Sequence, residues 1–454
     1  MALQQTALIP DALRPGDDGY DDATQTFFAT GSPALVVRPR GPEEVAAAIA
    51  HAVSRDLAVS VRSGGHSPVG HSTDTGGMVI DLRYFDSVEV IDEARRLVRV
   101  GGGATWGGVA AALSPFGWAL TAGDTSDVGV GGLTLGGGIG WMVRRYGLAI
   151  DNLVGARLVT PDGRLLAASP DEHSELFWAL RGGGGNFGVV IDFDFIAQPI
   201  STVQFGTVTY RLDDAGALIT RWRDAMRAAP DQLSSTLALP PARSADEEPC
   251  GFVLLCYADG TEAGEAGEAD IDAAIDPLVE LGTVTMAEIT ECSYSEILEN
   301  AVRPSGFRLV TRNALVSRLD DDVIAEICRL HSAAIPTAVA VRSLGGAFAR
   351  VPNDATAFAH RDAEAMIVVL LMLPDTATDA EVSDALIPWQ ALSRRGIGTY
   401  INFQGSATAS DVAAAYPPAT YARLAAVKAA YDPENRFARN HNITPARSGA
   451  PTHV

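Results

Sequence analysis

The 454-residue chain sets 34 basic against 56 acidic residues, a net charge of −22, and 47% of its residues are hydrophobic. This composition supplies a large core and argues against nucleic acid and anionic membrane surfaces as partners. No apolar run approaches the roughly 18 residues that cross a bilayer. Met1 to Thr6 lack the basic start and apolar core of a signal peptide, so a cytoplasmic location is the expectation. Cys250, Cys256, Cys292 and Cys328 share no CxxC or CxxH spacing, and no metal site or disulfide framework is expected. Acidic clusters at Asp17-Asp18, Asp246 to Glu248, Glu262 to Asp270 and Asp320 to Asp322 read as solvated surface.

Along the chain, Ala34 to Pro39 reads as a short strand. Pro42 then opens an amphipathic helix to about Ser54, with Pro at the first helical position and Glu43-Glu44 in the first turn. Met78 to Leu82, Val88 to Ile91 and Leu97 to Val100 are short strands, and Thr105 to Leu113 is a helix. Leu153 to Thr160 and Leu165 to Ala168 flank the turn Pro161-Asp162-Gly163 as a strand pair. A helix over Glu175 to Leu180 leads through glycines to a strand over Val189 to Phe195, which carries alternating acids, Asp192 and Asp194.

After Pro199 the character changes. Strands at Phe205 to Tyr210, Phe252 to Tyr257 and Ala365 to Leu373 alternate with helices at Asp213 to Ala228 and Asp321 to Ala334. This predicts a second domain over roughly 200–405. The C-terminal helix Tyr421 to Tyr431 closes at Asp432-Pro433, and residues 446–454 read as a frayed tail.

Two glycine-rich stretches carry the chemistry. Arg62-Ser63-Gly64-Gly65-His66-Ser67 follows a strand-like Leu57 to Val61, and a second stretch runs from Gly129 to Gly140. Such loops let backbone approach a polar ligand and offer N–H groups to phosphate oxygens. In so acidic a chain, a phosphate-bearing ligand needs those N–H groups and an arginine such as Arg62. A histidine inside such a loop sets a nucleophilic ring nitrogen beside the ligand. The one GxGxxG match, Gly183 to Gly188, follows a helix and precedes a strand, the reverse of the Rossmann order, and no Walker A motif occurs.

Five motifs occur in one order: Arg62 to His66, Gly129 to Gly140, Tyr146 to Asn152, Phe177 to Val190, and Tyr431-Asp432-Pro433 with Asn440 to Ile443. Together, over about Pro33 to Pro445, they resemble the berberine-bridge-enzyme-like branch of the vanillyl-alcohol-oxidase and p-cresol-methylhydroxylase flavoproteins. The resemblance implies an α+β fold. Its parts would be a two-part FAD-binding domain of that type over 1–199, a substrate domain over 200–405 with an antiparallel sheet covered by helices, and a segment over 406–454 returning to the FAD domain.

The resemblance further implies that FAD is bonded to His66 through Nδ1 and the flavin 8α-methyl. Arg62, Ser63, Gly64, Gly65, Ser67 and His71 would hold it from one loop. Asp124, Thr125, Val128, Gly129, Gly131, Gly132, Leu133, Gly136, Gly137, Gly138 and Gly140 would do so from the other, with Val190, Asn440 and Asn442. Thr125 stands where many relatives tether the flavin with a cysteine, which implies a single bond. Val128 falls where the family sets oxygen access, and its small size points towards an oxidase.

Tyr400 and Asn402 match the family's Y-x-N motif. On a strand they would face the same way, with Tyr400 as base or hydrogen-bond anchor if its surroundings lower its pKa. Ile139 replaces a tyrosine found in sugar-oxidising relatives, which turns the expectation towards an apolar or amine-bearing substrate. Phe307, Arg308, Arg350 and His360 are further pocket candidates. The resulting expectation is an oxidase that takes a hydride from an alcohol or amine carbon and passes electrons to O2, with a small molecule and O2 as partners and a homodimer as a conceivable assembly. An oxidative cyclase of secondary metabolism and a flavin-binding protein with little turnover stand as alternatives.

Overall fold

A computed structural model describes residues 11–241, 248–259, 267–333 and 335–447. The N-terminal hexapeptide, parts of the acidic stretches 246–248 and 262–270, residue 334 and the tail from 448 lie outside them.

Three sheets build the molecule. The first has the spatial order Ala12–Leu13, Leu35–Val37, Met78–Asp81, Val59–Arg62, with its last three strands parallel. The helix Pro42–Ser54 makes the crossover between Leu35–Val37 and Val59–Arg62 and buries Val45, Ala48, Ile49 and Ala52, one stripe at helical spacing. The second sheet is antiparallel, in the order Val88–Asp92, Leu97–Gly101, Val189–Ile196, Leu153–Val159, Leu165–Ala168. Its alternating acids have a structural cause. Asp194 receives Arg99 at 2.7 Å and Asp192 receives Arg157 at 2.5 Å across neighbouring strands.

The third sheet has seven antiparallel strands in the order Val284–Ser293, Thr202–Arg211, Cys250–Tyr257, Leu233–Leu239, Thr337–Ser343, Ala365–Pro374, Phe307–Val316. Both faces of its central strands are buried, so the alternation is one of destination rather than polarity. Ile367, Val369, Leu371 and Leu373 join the core that also holds Leu218 and Trp222 of helix Ala215–Ala228 and Ile327 of helix Asp321–His331. Met366 and Val368 join a separate cluster with Ile139 and Tyr400. The strands Leu233–Leu239, Val284–Ser293, Phe307–Val316 and Thr337–Ser343 are additions to those expected from sequence.

The chain returns through helix Pro418–Tyr431. Its Lys428 is fully buried, and Nζ donates to Asp432 Oδ2 at 2.7 Å, Asn186 O at 2.6 Å and Phe437 O at 2.9 Å. An ammonium so enclosed is tolerable because all three of its protons are bonded.

Candidate active site

A cavity of about 530 Å³ lies where the glycine-rich loops meet the inner face of the seven-stranded sheet. Ser63 to Ser67, His71, Asp124, Thr125, Val128, Gly129, Gly131 to Leu133, Val190 and Asn440 line it from the loop side. Leu309, Thr311, Arg342, Val368 and Leu370 line it from the sheet, and Tyr400, Asn402 and Phe403 close the junction.

The loop wall depends on missing side chains. A Cβ on Gly64 would enter the backbone of Gly129, and one on Gly129 would enter that of Gly64. Ser63 Oγ donates to Gly102 O at 2.6 Å and accepts from Gly131 N–H at 3.2 Å, which fastens the two loops together. His66 follows Gly65, whose φ of +77° favours glycine. The His66 ring stacks on Phe27 at 4.8 Å and 18°, and its Nε2 lies 3.3 Å from Asp127 Oδ2. Burial holds the His66 pKa below its ordinary value against the opposing pull of Asp127.

Tyr400 and Asn402 meet, although not on a strand. Ile401–Phe403 is a 3-10 turn entered from Tyr400. Asn313, on the sheet face that looks to the cavity, brackets the Tyr400 backbone: its Nδ2 donates to Tyr400 O at 2.8 Å and its Oδ1 accepts from Tyr400 N–H at 2.7 Å. The Tyr400 hydroxyl oxygen accepts from Gly138 N–H at 2.9 Å and Asn402 Nδ2 at 2.7 Å. Even so, burial dominates and pushes its pKa up to about 12. The lowered value that a resting base would need is therefore not met. Tyr400 keeps its proton, and with two donors on its oxygen that proton is free for a ligand.

Six residues expected on the cofactor do not line the cavity. Arg62 is buried and turns two of its guanidinium nitrogens to the fold, with Nε donating to Ser72 O at 2.8 Å and Nη1 to Ala23 O at 2.6 Å, while Nη2 lacks a partner among the described residues. Gly136 makes room for the Asn402 amide, and Gly137 for the rings of Phe358 and Tyr400. Gly138, at φ +88°, turns its N–H onto Tyr400. Gly140 packs against the Ala122 carbonyl. These glycines serve Tyr400 and the fold. Asn442 also lies off the cavity, with a buried Oδ1 lacking a partner among the described residues.

Phe307, Arg308, Arg350 and His360 are likewise absent from the wall. Arg308 is tied to Ala377 O and Asp379, Arg350 to Asp231, and His360 to the carbonyls of Ala414 and Ala415. Sequence reasoning missed Asp127 and Arg342. Arg342 pairs with Asp124 across 218 positions and so joins the sheet to the loop wall.

The wall suits a large polar ligand. His71 Nε2 and Asn440 Oδ1 are buried without a partner among the described residues, and each such atom costs about 1–3 kcal/mol unless something fills it. Burial, with His441 and Arg439 nearby, lowers His71 to about 3, so its ring is neutral. The groups present are backbone amides, neutral imidazoles, side-chain amides, hydroxyls, the guanidinium groups of Arg342 and Arg439 and the carboxyl group of Asp124. They fit FAD, with its phosphates, ribityl hydroxyls and ring amide.

Comparison with known proteins agrees. The FAD binding domain family matches residues 33–169, and the berberine and berberine-like family matches 399–444. The chain is 32% identical to (R)-6-hydroxynicotine oxidase of Paenarthrobacter nicotinovorans over 96% of this chain and 97% of that one. The crystal structure of 6-hydroxy-D-nicotine oxidase from Arthrobacter nicotinovorans superposes with a TM-score of 0.84 at 30% identity, covering 98% and 100%. A glucooligosaccharide oxidase from Acremonium strictum, described with a 6-S-cysteinyl, 8α-N1-histidyl FAD, shares the fold at TM-score 0.82 and 24% identity, covering 96% and 97%.

Proposed function

The chain belongs to the berberine-bridge-enzyme-like FAD-linked oxidoreductases, and we propose that it is an oxidase with FAD attached through His66 alone. Its substrate in this reading is an apolar small molecule, oxidised at an alcohol or amine carbon, with O2 reduced to H2O2. When bound, FAD supplies the hydride acceptor.

One observation carries the substrate reading. The sheet wall offers Leu309, Val368 and Leu370 beside Thr311 and an Arg342 already paired with Asp124, Ile139 extends the apolar surface, and the Tyr400 hydroxyl stands beside them with a free proton. Few free donors in a largely apolar wall suit a substrate with few heteroatoms. A polyhydroxylated sugar would leave further hydroxyls unpaired there. Tyr400 donates to the substrate oxygen or nitrogen and orients the carbon beside it, while Asn313 and Asn402 keep Tyr400 in place.

A single attachment is supported by Thr125, which lines the cavity without a thiol, and by the absence of all four cysteines from the wall. The Acremonium enzyme named above has a cysteinyl tether as well as a histidyl one.

Two measurements test this. Acid precipitation should leave the yellow colour in the pellet; flavin released to the supernatant refutes attachment. A screen of H2O2 release should find turnover among secondary alcohols, cyclic amines or aromatic polyketides and little with oligosaccharides. Silence across the first three at full flavin content counts against the oxidase, and flavin that stays photoreduced in air points to a binder or dehydrogenase.

A further inference from the structure

We infer that Asp127 is a positioning residue that prepares His66 for its bond to FAD by selecting the ring tautomer. This rests on the His66 attachment proposed above. Asp127 Oδ2 lies 3.3 Å from His66 Nε2. A carboxylate offers only acceptors, so this contact favours the hydrogen on Nε2 and leaves Nδ1 its lone pair. Stacking on Phe27 fixes the ring plane.

The carboxylate is itself held. Its Oδ1 accepts from Ala301 N–H at 3.1 Å, so both oxygens are committed. The residues on either side are pinned as well. Ser126 O accepts from Gly107 N–H at 2.9 Å, Val128 O accepts from Trp106 N–H at 3.0 Å, and Ser126 N–H donates to Glu299 O at 2.8 Å. Such bracing suits a group whose direction matters.

The attachment balances as follows. One C–H bond of the 8α-methyl breaks and one Nδ1–C bond forms. The methyl proton and the Nε2 proton leave, and two electrons enter the isoalloxazine ring. Dioxygen then takes those two electrons and two protons and leaves as H2O2. While the new bond forms, the imidazole becomes positively charged, with its Nε2 3.3 Å from the Asp127 carboxylate. The carboxylate therefore stabilises that charge and lies in line to receive the proton.

Asp127→Asn separates this role from simple support. The amide nearly matches the carboxylate in shape but has one acceptor. With that oxygen retained by Ala301 N–H, the amide NH2 faces Nε2 and donates to it, which forces the hydrogen onto Nδ1 and blocks the bond. Asp127→Ala leaves the ring free to adopt either tautomer, and Asp127→Glu keeps two acceptors.

The test uses the full chain produced under riboflavin limitation and then given FAD in air. In-gel flavin fluorescence after acid precipitation follows covalent incorporation, and extractable FAD and melting temperature serve as controls. Incorporation should be slowed on the order of 10²-fold or more in Asp127→Asn, as for other wrong-tautomer variants, less in Asp127→Ala, and least in Asp127→Glu. A supporting role alone predicts Asn above Ala, because Asn keeps the shape, and that order overturns the inference. So does wild-type speed in Asp127→Asn while His66→Ala carries no covalent flavin. Wild-type protein that yields all its flavin to acid overturns the attachment reading itself, and this inference with it.

Discussion

Gly64 and Gly129 meet backbone to backbone on one side of the cavity, whereas the opposite side presents the side chains of Leu309, Val368 and Leu370. The first wall is specified by the absence of atoms. A Cβ at Gly64 or Gly129 collides with main chain, which cannot yield. The second is specified by which way strand residues point, and a change of side chain leaves the sheet ladder intact. Tolerance to substitution should therefore differ sharply between them, and so should the property that is lost.

The largest effect is expected at Gly64. In Gly64→Val the new side chain enters the Gly129 backbone, and the variant should purify without FAD or not at all. Val368→Ala should keep full flavin content and raise KM a few-fold. Equal flavin loss in both would mean that the walls are not separable.

Acid should divide the walls next. His66, His71 and His441 all line the cavity, and burial lowers the pKa of each. A histidine whose folded pKa lies below its unfolded value of about 6.5 stabilises the fold fully above that value and loses the contribution as pH falls. For His71 the loss continues to about pH 3, at up to about 1.4 kcal/mol per pH unit. Flavin fluorescence should thus change at a higher pH than the far-ultraviolet dichroism of the sheets. Coincident transitions would place the acid-sensitive groups elsewhere.

Tyr400→Phe sharpens the contrast at the junction. It leaves Gly138 N–H and Asn402 Nδ2 without their acceptor and removes the donor to substrate. Flavin content should hold while kcat/KM falls by roughly 10²-fold. A change below about threefold would remove Tyr400 from the reaction.

The same difference explains what could be read in the sequence. Glycine clusters around a histidine leave a mark that survives without coordinates, and Ser63 to Ser67 with Gly129 to Leu133 do line the cavity. Gly136 to Gly138 look identical on paper, yet they shape the seat of Tyr400, because sequence does not say which neighbour each glycine approaches. Arg62 was legible as a charge, but Asp81 and two carbonyls claim it. The sheet wall was opaque for another reason. Ala365–Pro374 is apolar throughout, so nothing in its pattern says that Val368 and Leu370 face the cavity while Val369 and Leu371 face the helices. Asp127 and Arg342 gain their meaning only from partners distant in the chain, Ala301 and Asp124.

Lys428 has a consequence for the order of assembly. Its ammonium gathers Asn186, Asp432 and Phe437, and Phe437, Arg439, Asn440 and His441 complete the cavity wall. A nascent chain that has just released the seven-stranded sheet from the ribosome still lacks this closing piece. A complete cavity wall therefore requires the chain to be folded through His441, so FAD capture is expected only after that segment has docked.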